Sequence, residues 1–227
     1  MITTVVFDLD DTLYDEIDYC KSGFAVVSEF LADLSESQSA ECIFAALWDQ
    51  FTAGNRSKIF NSALDALKID YNEERIQELV GVYRNHIPKI TLPTDSRDVL
   101  SELKAKYTLA LLTDGFLPAQ QLKVQSLGIE NFFQIIVYTE QLGRECWKPS
   151  PAGFEKIIQS LNEIPARMVY VGDNEKKDFI APNMLEFSTV QLIRPACLHN
   201  SVATESGAAA TYVIHDIRQL PALLETL

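Results

Sequence analysis

The sequence predicts an α/β fold: a doubly wound parallel sheet in three layers, with a four-helix insertion directly after the first strand. Three observations predict it. Thr3–Thr12 (TTVVFDLDDT) is a short β-branched and aromatic run that ends abruptly in carboxylates, which fits a central parallel strand better than an amphipathic helix. From about residue 17 to residue 90 the texture is helical throughout. From about residue 93 onward strands and helices alternate, the pattern of parallel strands joined by right-handed crossovers.

Taken in order, the first strand gives way at Phe7 to Asp8, Asp10 and Asp11. Apolar residues then recur at helical spacing in Ile17–Leu34, Ser39–Phe51, Ser57–Leu67 and Glu73–His86, with Gly54-Asn55 and Asp70-Tyr71-Asn72 as breaks. Ser39 and Asn72 supply N-caps, and Glu41, Glu73 and Glu74 place acids in first turns, where the helix dipole favours them. Four amphipathic helices in a row read as a small bundle with one face free to lie over a crevice. Tyr14-Asp15-Glu16 is the outgoing connection and Thr91-Leu92-Pro93-Thr94 the returning one, so residues 1–15 and 92–227 form the core domain and 16–91 the inserted domain.

Beyond the insertion, a helix over Asp95–Lys106 leads into an apolar run from Tyr107 that ends in Thr113-Asp114-Gly115. A helix over Leu117–Leu127 stops at Gly128, a third strand covers Phe132–Val137, and Pro151 opens a helix to Leu161. Met168–Val171 is a strand ending in Gly172-Asp173, followed by a helix over Lys176–Glu186 and a strand over Thr189–Ile193. Tyr212–Ile214 and a helical stretch within Ile217–Leu227 close the core, and Pro195–Ala210 reads as a loop.

Composition bounds the function. A chain of 227 residues that is 47% hydrophobic can bury a real core. No apolar run approaches the length of a membrane span, and no basic region with an apolar signal segment opens the chain, so a cytoplasmic setting is expected. Cys20, Cys42, Cys146 and Cys197 are scattered without a CxxC pair, which argues against a disulfide framework or zinc site. A net charge of −13 excludes bulk affinity for nucleic acid or anionic membrane. It leaves room for a small phosphorylated substrate, because local lysines, backbone N–H groups and a metal can reverse the sign inside one pocket. Whether the protein is a monomer or a homodimer is left open.

Three apolar runs thus end in acids or hydroxyls, and in open α/β sheets the ligand crevice lies at that end of the strands. Asp8 and Asp10, two apart on an extended segment, project into it together. Crowded carboxylates push one pKa up unless a bound cation favours both ionised forms. A solvated acidic turn after an edge strand would carry the same residues, but the repetition at Thr113-Asp114-Gly115 and Gly172-Asp173 argues against it.

The ordered set Asp8-x-Asp10-x-Thr12, Thr113-Asp114-Gly115, Lys148-Pro149, and Gly172-Asp173 with Asp178 resembles the haloacid dehalogenase superfamily of aspartyl-nucleophile phosphotransferases. The resemblance spans residues 1–14 and about 93 to the end; between them the chain matches only as a helical insertion. Two stretches depart from the usual pattern: the loop from Gly143 to Lys148 is about two residues longer, and Ala181–Glu186 replaces a Gly-bearing stretch. The resemblance implies a Rossmann-like core, a mobile helical cap over residues 16–91, and a Mg2+ site. Magnesium suits oxygen ligands such as Asp8 and Asp173 without a nearby His or Cys cluster, and the backbone carbonyl of Asp10 would be a further ligand. Asp178 would orient the site, with Thr12 supporting it. Lys148 would neutralise Asp8 and a phosphate oxygen, while the Thr113 hydroxyl and the N–H groups of Asp114 and Gly115 hold other phosphate oxygens.

The resemblance further implies a phosphatase acting on a small phosphate monoester through an aspartyl-phosphate on Asp8, with Asp10 as acid and then base. Alternatives are a phosphomutase of the β-phosphoglucomutase type, a haloacid dehalogenase, which Asp10 disfavours, and a non-catalytic phospho-acceptor, which the insertion disfavours. Elsewhere, His86, His199 and His215 are expected in surface or satisfied structural roles, Asp11 to point away from the metal and cap a turn, and Arg56, Lys58 and Arg84 as solvated charges. Trp147 is expected either to line the substrate pocket or to pack against its own loop.

Overall fold

The computed structural model describes residues 1–34, 38–198 and 207–227, which form two compact units, one of Met1–Ile17 with Thr91–Leu227 and one of Asp18–Ile90. The first unit is the α/β core. In it β1 (Thr4–Phe7) leads out to the insertion, and the chain returns through α5 (Thr94–Lys104) into β2 (Thr108–Thr113). Helix α6 (Ala119–Leu127), β3 (Ile135–Tyr138), α7 (Ala152–Leu161), β4 (Met168–Gly172), α8 (Ile180–Met184), β5 (Ser188–Leu192), β6 (Tyr212–Ile214) and α9 (Leu220–Leu224) follow. The four helices of the insertion are α1 (Glu16–Leu34), α2 (Ala40–Thr52), α3 (Ile59–Leu67) and α4 (Glu73–Asn85).

The six strands form one parallel sheet in the order β3-β2-β1-β4-β5-β6, with Val6 beside Ala110 on one side and Tyr170 on the other. All four residues of β1 are buried, as a strand in mid-sheet with both faces covered requires. Alternation then sorts the side chains. Val6, Ala110, Leu112, Val137, Met168 and Tyr170 share one core with Phe154 and Ile157 of α7 and Ala181 of α8. Phe154 meets Tyr170 edge-on at 4.9 Å between ring centres. Helices α5 and α9 pack together and bury Val99, Leu100, Leu103, Leu220 and Leu224.

The inserted unit has its own core. Phe24 of α1 meets Phe51 of α2 and Tyr83 of α4 at 5.6 and 5.5 Å, and Tyr19 meets Tyr83 at 5.4 Å. Gly23 permits this approach, since a Cβ there would lie 2.4 Å from the Tyr83 ring. His86 is buried beside it, with Nδ1 2.5 Å from the Tyr83 carbonyl and Nε2 3.1 Å from the Ser22 hydroxyl, the satisfied structural role expected of it. Ser39 and Asn72 cap α2 and α4 by accepting the N–H groups of Cys42 and Arg75.

Several expected elements are shorter. The helix expected over Lys176–Glu186 forms only at Ile180–Met184, because side chains capture the backbone ahead of it. Asp178 accepts the N–H groups of Asp173 and Asn174, and Asn174 accepts that of Lys176, which closes a turn instead of a helix. The strand expected from Phe132 begins at Ile135, after a tight turn at Glu130–Phe132. The C-terminal stretch splits into a turn at Ile217–Gln219 and α9, with Pro221 in its first turn. Of the loop Pro195–Ala210, residues 199–206, His199 among them, lie outside the described residues; His215 is exposed. The four cysteines form no disulfide, and among the described residues no helix is long and apolar enough to cross a membrane.

Candidate active site

The site lies where β1, β2 and β4 end. Asp8 follows the last residue of β1, and its N–H donates to the Val171 carbonyl of β4, so the sheet ladder itself fixes where the carboxylate emerges. Its Oδ1 lies 2.8 Å from Lys148 Nζ, and the same ammonium lies 2.8 Å from Asp178 Oδ1 and donates at 2.8 Å to the Tyr170 hydroxyl. The longer loop before Lys148 folds as a turn at Arg144–Cys146 and delivers the lysine to Asp8. Trp147 reaches both ways: Arg144 of its own loop lies over its ring, its indole donates to Glu140 at 2.9 Å, and it meets Phe116, in the loop after β2, edge-on at 5.4 Å.

Asp173 completes a cluster in which oxygens of Asp8, Asp173 and Asp178 all lie within 4.8 Å of one another. Burial, reinforced by the neighbouring acids, raises the Asp173 carboxyl to about 9. Burial also raises Asp8, to about 6, against the pull of Lys148. Asp178 stays low despite burial because Lys148 and Lys177 outweigh it. Lys148 keeps its proton despite burial, held by Asp178 and Asp8. Three carboxylates and one deeply buried lysine leave the cluster short of positive charge. A hard divalent cation with oxygen preference fits that donor set; Asp8 and Asp173 are the residues that could hold it, while Asp178, whose oxygens already accept from Lys148 and from the Asp173 and Asn174 N–H groups, orients them.

Asp11, Asp173 and Cys197 form a second such trio, the Cys197 thiol donating to Asp173 Oδ2 at 3.4 Å. Asp11 caps its turn by accepting the N–H groups of Glu16 and Leu198, yet it does not point away from the acids: its carboxylate also reaches the edge of the cluster.

Asp10 sits apart from this group. It accepts from Lys123 at 2.8 and 2.9 Å, from Gln120 at 2.8 Å and from the Tyr14 hydroxyl at 2.5 Å. Burial works against its charge, but Lys123 with these donors holds the carboxyl below its ordinary value. Thr113 ends β2 with its hydroxyl 2.6 Å from Gln120 Nε2. Gly115 adopts φ +139°, a backbone conformation that an L side chain rarely takes. The Asp114 carboxylate is engaged by the Thr139 hydroxyl at 2.8 Å and the Lys148 N–H at 3.2 Å. Thr12 is buried, and its hydroxyl finds no partner among the described residues; its carbonyl accepts from Arg194 at 3.2 Å.

The structure therefore brings Asp8, Lys148, Asp173 and Asp178 together and places Thr113 at the end of β2 and Asp10, Asp114 and Gly115 on the neighbouring loops. Gln120, Lys123, Tyr14, Tyr170 and Lys177 are the participants that sequence reasoning missed. Gln120 and Lys123 stand three apart and so share one face of α6, the one available signal, since polar residues buried on a core-facing helix call for a polar partner.

A cluster of buried carboxylates around one buried lysine, with Asp8 at the end of the central strand, lies at the carboxyl ends of a doubly wound sheet, where such folds hold their active sites, and its polarity is that of a hydrolase for a charged substrate. The haloacid dehalogenase-like hydrolase family model matches residues 2–183, and the chain belongs to that family. It is 29% identical over 202 residues to the glyceraldehyde 3-phosphate phosphatase of Methanopyrus kandleri, covering 86% of this chain and 85% of the relative. It is 25% identical to the human N-acylneuraminate-9-phosphatase over 100% of this chain and 95% of that one. Among solved structures, the 2-haloacid dehalogenase of Pseudomonas syringae pv. Tomato shares the fold, with a TM-score of 0.68 at 21% identity over 100% and 99% of the two chains.

Proposed function

We propose that the protein is a Mg2+-dependent phosphatase that hydrolyses the phosphate monoester of a small metabolite through an aspartyl-phosphate on Asp8. The observation that carries this reading is the placement of Asp8 2.8 Å from Lys148 at the rim of a three-carboxylate cluster. A carboxylate can attack a phosphoryl group only where both negative charges are partly neutralised, and this is such a place. Relatives named as phosphatases of small phosphorylated compounds support the substrate class.

Asp8, Asp173 and the Asp10 carbonyl would hold the metal, with Asp178 in support, and when bound it would offset the charge on the phosphoryl oxygens. Lys148 holds the carboxylate of Asp8 ionised. The Thr113 hydroxyl and the N–H groups of Asp114 and Gly115 bind the remaining oxygens. An Asp8 oxygen forms a bond to phosphorus as the ester P–O bond breaks, and Asp10 gives its proton to the departing alkoxide. Asp10 then takes a proton from water, whose oxygen attacks phosphorus and releases Asp8 with inorganic phosphate. In the free site Lys123 keeps Asp10 anionic, poised as the base; an incoming phosphate dianion raises its pKa and lets it carry the proton for the first step. Thr12 supports the loop through its carbonyl.

The helices of residues 16–91 are proposed to act as a cap that selects the leaving group and excludes water during transfer. A cytoplasmic setting completes the reading. The experiment is phosphate release from a panel of phosphorylated metabolites, with magnesium and with chelator, by wild type and Asp8→Asn. Metal-dependent release lost roughly 10⁴-fold or more in the variant is the expected result. Full activity in Asp8→Asn, or isomer conversion without release, overturns it.

A further inference from the structure

A second lysine faces the same crevice. Lys177 lies in the turn after β4, between Asp173 and Asp178, and its Nζ is 3.7 Å from Asp114 Oδ2 in the loop after β2. Strand β1 runs between β2 and β4, so this contact joins the loops on either side of Asp8. The charge of Lys177 acts on Asp8, Asp173 and Asp178 alike, lowering the proton affinity of each.

What distinguishes Lys177 is how lightly it is held. Lys123 is buried and clamped by Asp10, and Lys148 is buried among Asp8, Asp178 and Tyr170, with side-chain exposures of 4% and 1%. Lys177 keeps 32% of its side chain exposed, and its contact with Asp114 is too long for a hydrogen bond. Asp114 is itself already engaged by Thr139 and the Lys148 N–H. Burial and Lys148 work against the charge of Lys177, but Asp8, Asp178 and Asp114 keep its ammonium protonated, and its long contact with Asp114 leaves that donor able to exchange Asp114 for a shorter bond within the same acidic field.

We propose that Lys177 is a substrate-binding residue: its ammonium leaves Asp114 and donates to a non-bridging phosphoryl oxygen, so that the site grips the phosphate with two lysines, Lys148 from the buried side and Lys177 from the open side. This rests on the phosphatase reading. It makes the favoured substrate the fully ionised monoester dianion, because two ammonium groups and a divalent cation offset its charge and that of Asp8.

The test compares wild type, Lys177→Met and Lys177→Arg by binding of inorganic phosphate in the presence of magnesium, followed by calorimetry, and by kcat and KM with the best substrate of the panel. Lys177→Met is expected to weaken phosphate and raise KM roughly 10- to 100-fold, the scale of a charged hydrogen bond, with a smaller change in kcat. Lys177→Arg is expected to recover most of the loss. Magnesium supplies the readout that a structural role would not move in this way. Removing a cation beside three carboxylates should tighten magnesium while phosphate weakens. Phosphate affinity and KM within twofold of wild type, or parallel weakening of magnesium and phosphate, overturns the proposal. A wild type that binds inorganic phosphate but releases none from any ester removes the phosphatase reading instead, while one that neither binds nor releases phosphate overturns both.

Discussion

Lys123 Nζ lies 2.8 Å from Asp10 Oδ1 and 2.9 Å from Oδ2, tying helix α6 to the loop after the first strand across 113 residues of chain. The lysine is buried and Asp10 keeps 17% side-chain exposure. Lys123→Met leaves a largely buried carboxylate without its countercharge, at a cost of about 3 kcal/mol, the lower end for such pairs because Asp10 is partly wet. Asp10 has a depressed folded pKa, so the stability it contributes is present above its unfolded value of 3.8 and lost as pH falls through the folded one. The variant should therefore lose stability at neutral pH, and the acid limb of its kcat profile, set by Asp10 as the base of the second step, should move upward. Urea melts and a pH–rate profile check both, and an unmoved acid limb would detach Lys123 from the chemistry.

The acid cluster predicts the opposite pH dependence. The folded pKa values of Asp8 and Asp173 are raised to about 6 and about 9 from 3.8. Groups raised in this way favour the fold below the unfolded pKa, and that contribution is lost as pH climbs through the folded values. Metal-free protein should lose thermal stability between pH 5 and 9, and Asp173→Asn should flatten the slope. Saturating magnesium, which takes the place of the protons, should stabilise most at the alkaline end. Melting temperatures across that range with chelator and with magnesium decide it; a magnesium effect that grows toward acid pH would refute the cluster as the metal site.

Gly115 predicts a loss of positioning. At φ +139° an L side chain is strained, and a Cβ would lie 2.9 Å from Cγ and Cδ of Gln120. The Gln120 amide also holds Asp10, the Thr113 hydroxyl and the Asp114 carbonyl, so it cannot retreat without loosening all three. Gly115→Ala should cost about 1–3 kcal/mol of stability and on the order of 100-fold in kcat/KM. Steady-state kinetics beside a denaturant melt would show it, and unchanged kinetics would place the phosphate elsewhere.

How far these features were legible in the sequence follows from how local they are. The run that makes β1 ends at Asp8 within one stretch of chain, and the same holds for β2 with Thr113 and β4 with Asp173, so the sheet and the acids at the carboxyl ends of its strands could be read directly. The turn around Asp178 could not, because helical spacing from Lys176 competes with side chains that capture backbone N–H groups, and only geometry says which wins. Lys123 and Tyr170 look like an ordinary helix charge and an ordinary core aromatic until Asp10 and Lys148 arrive beside them from far along the chain.

Tyr170 yields the last prediction. Its ring packs against Phe154 and Phe179 in the core, while its hydroxyl accepts from Lys148 at 2.8 Å and donates to Asp178 Oδ1 at 3.3 Å. Burial, then the charges of Asp178 and Asp8, keep the phenol protonated, so it can hold both roles through the working pH range. Tyr170→Phe preserves the packing and removes only the oxygen that sets the angle at which Lys148 meets Asp8. Asp178 still engages the ammonium, so the fold should lose about 1 kcal/mol. Lys148 gains freedom to turn from the nucleophile, and kcat should fall roughly 10- to 100-fold, as for other residues that orient a reacting group, with KM changed less. A variant with lowered melting temperature but wild-type kcat would make the hydroxyl a purely structural partner of the buried lysine.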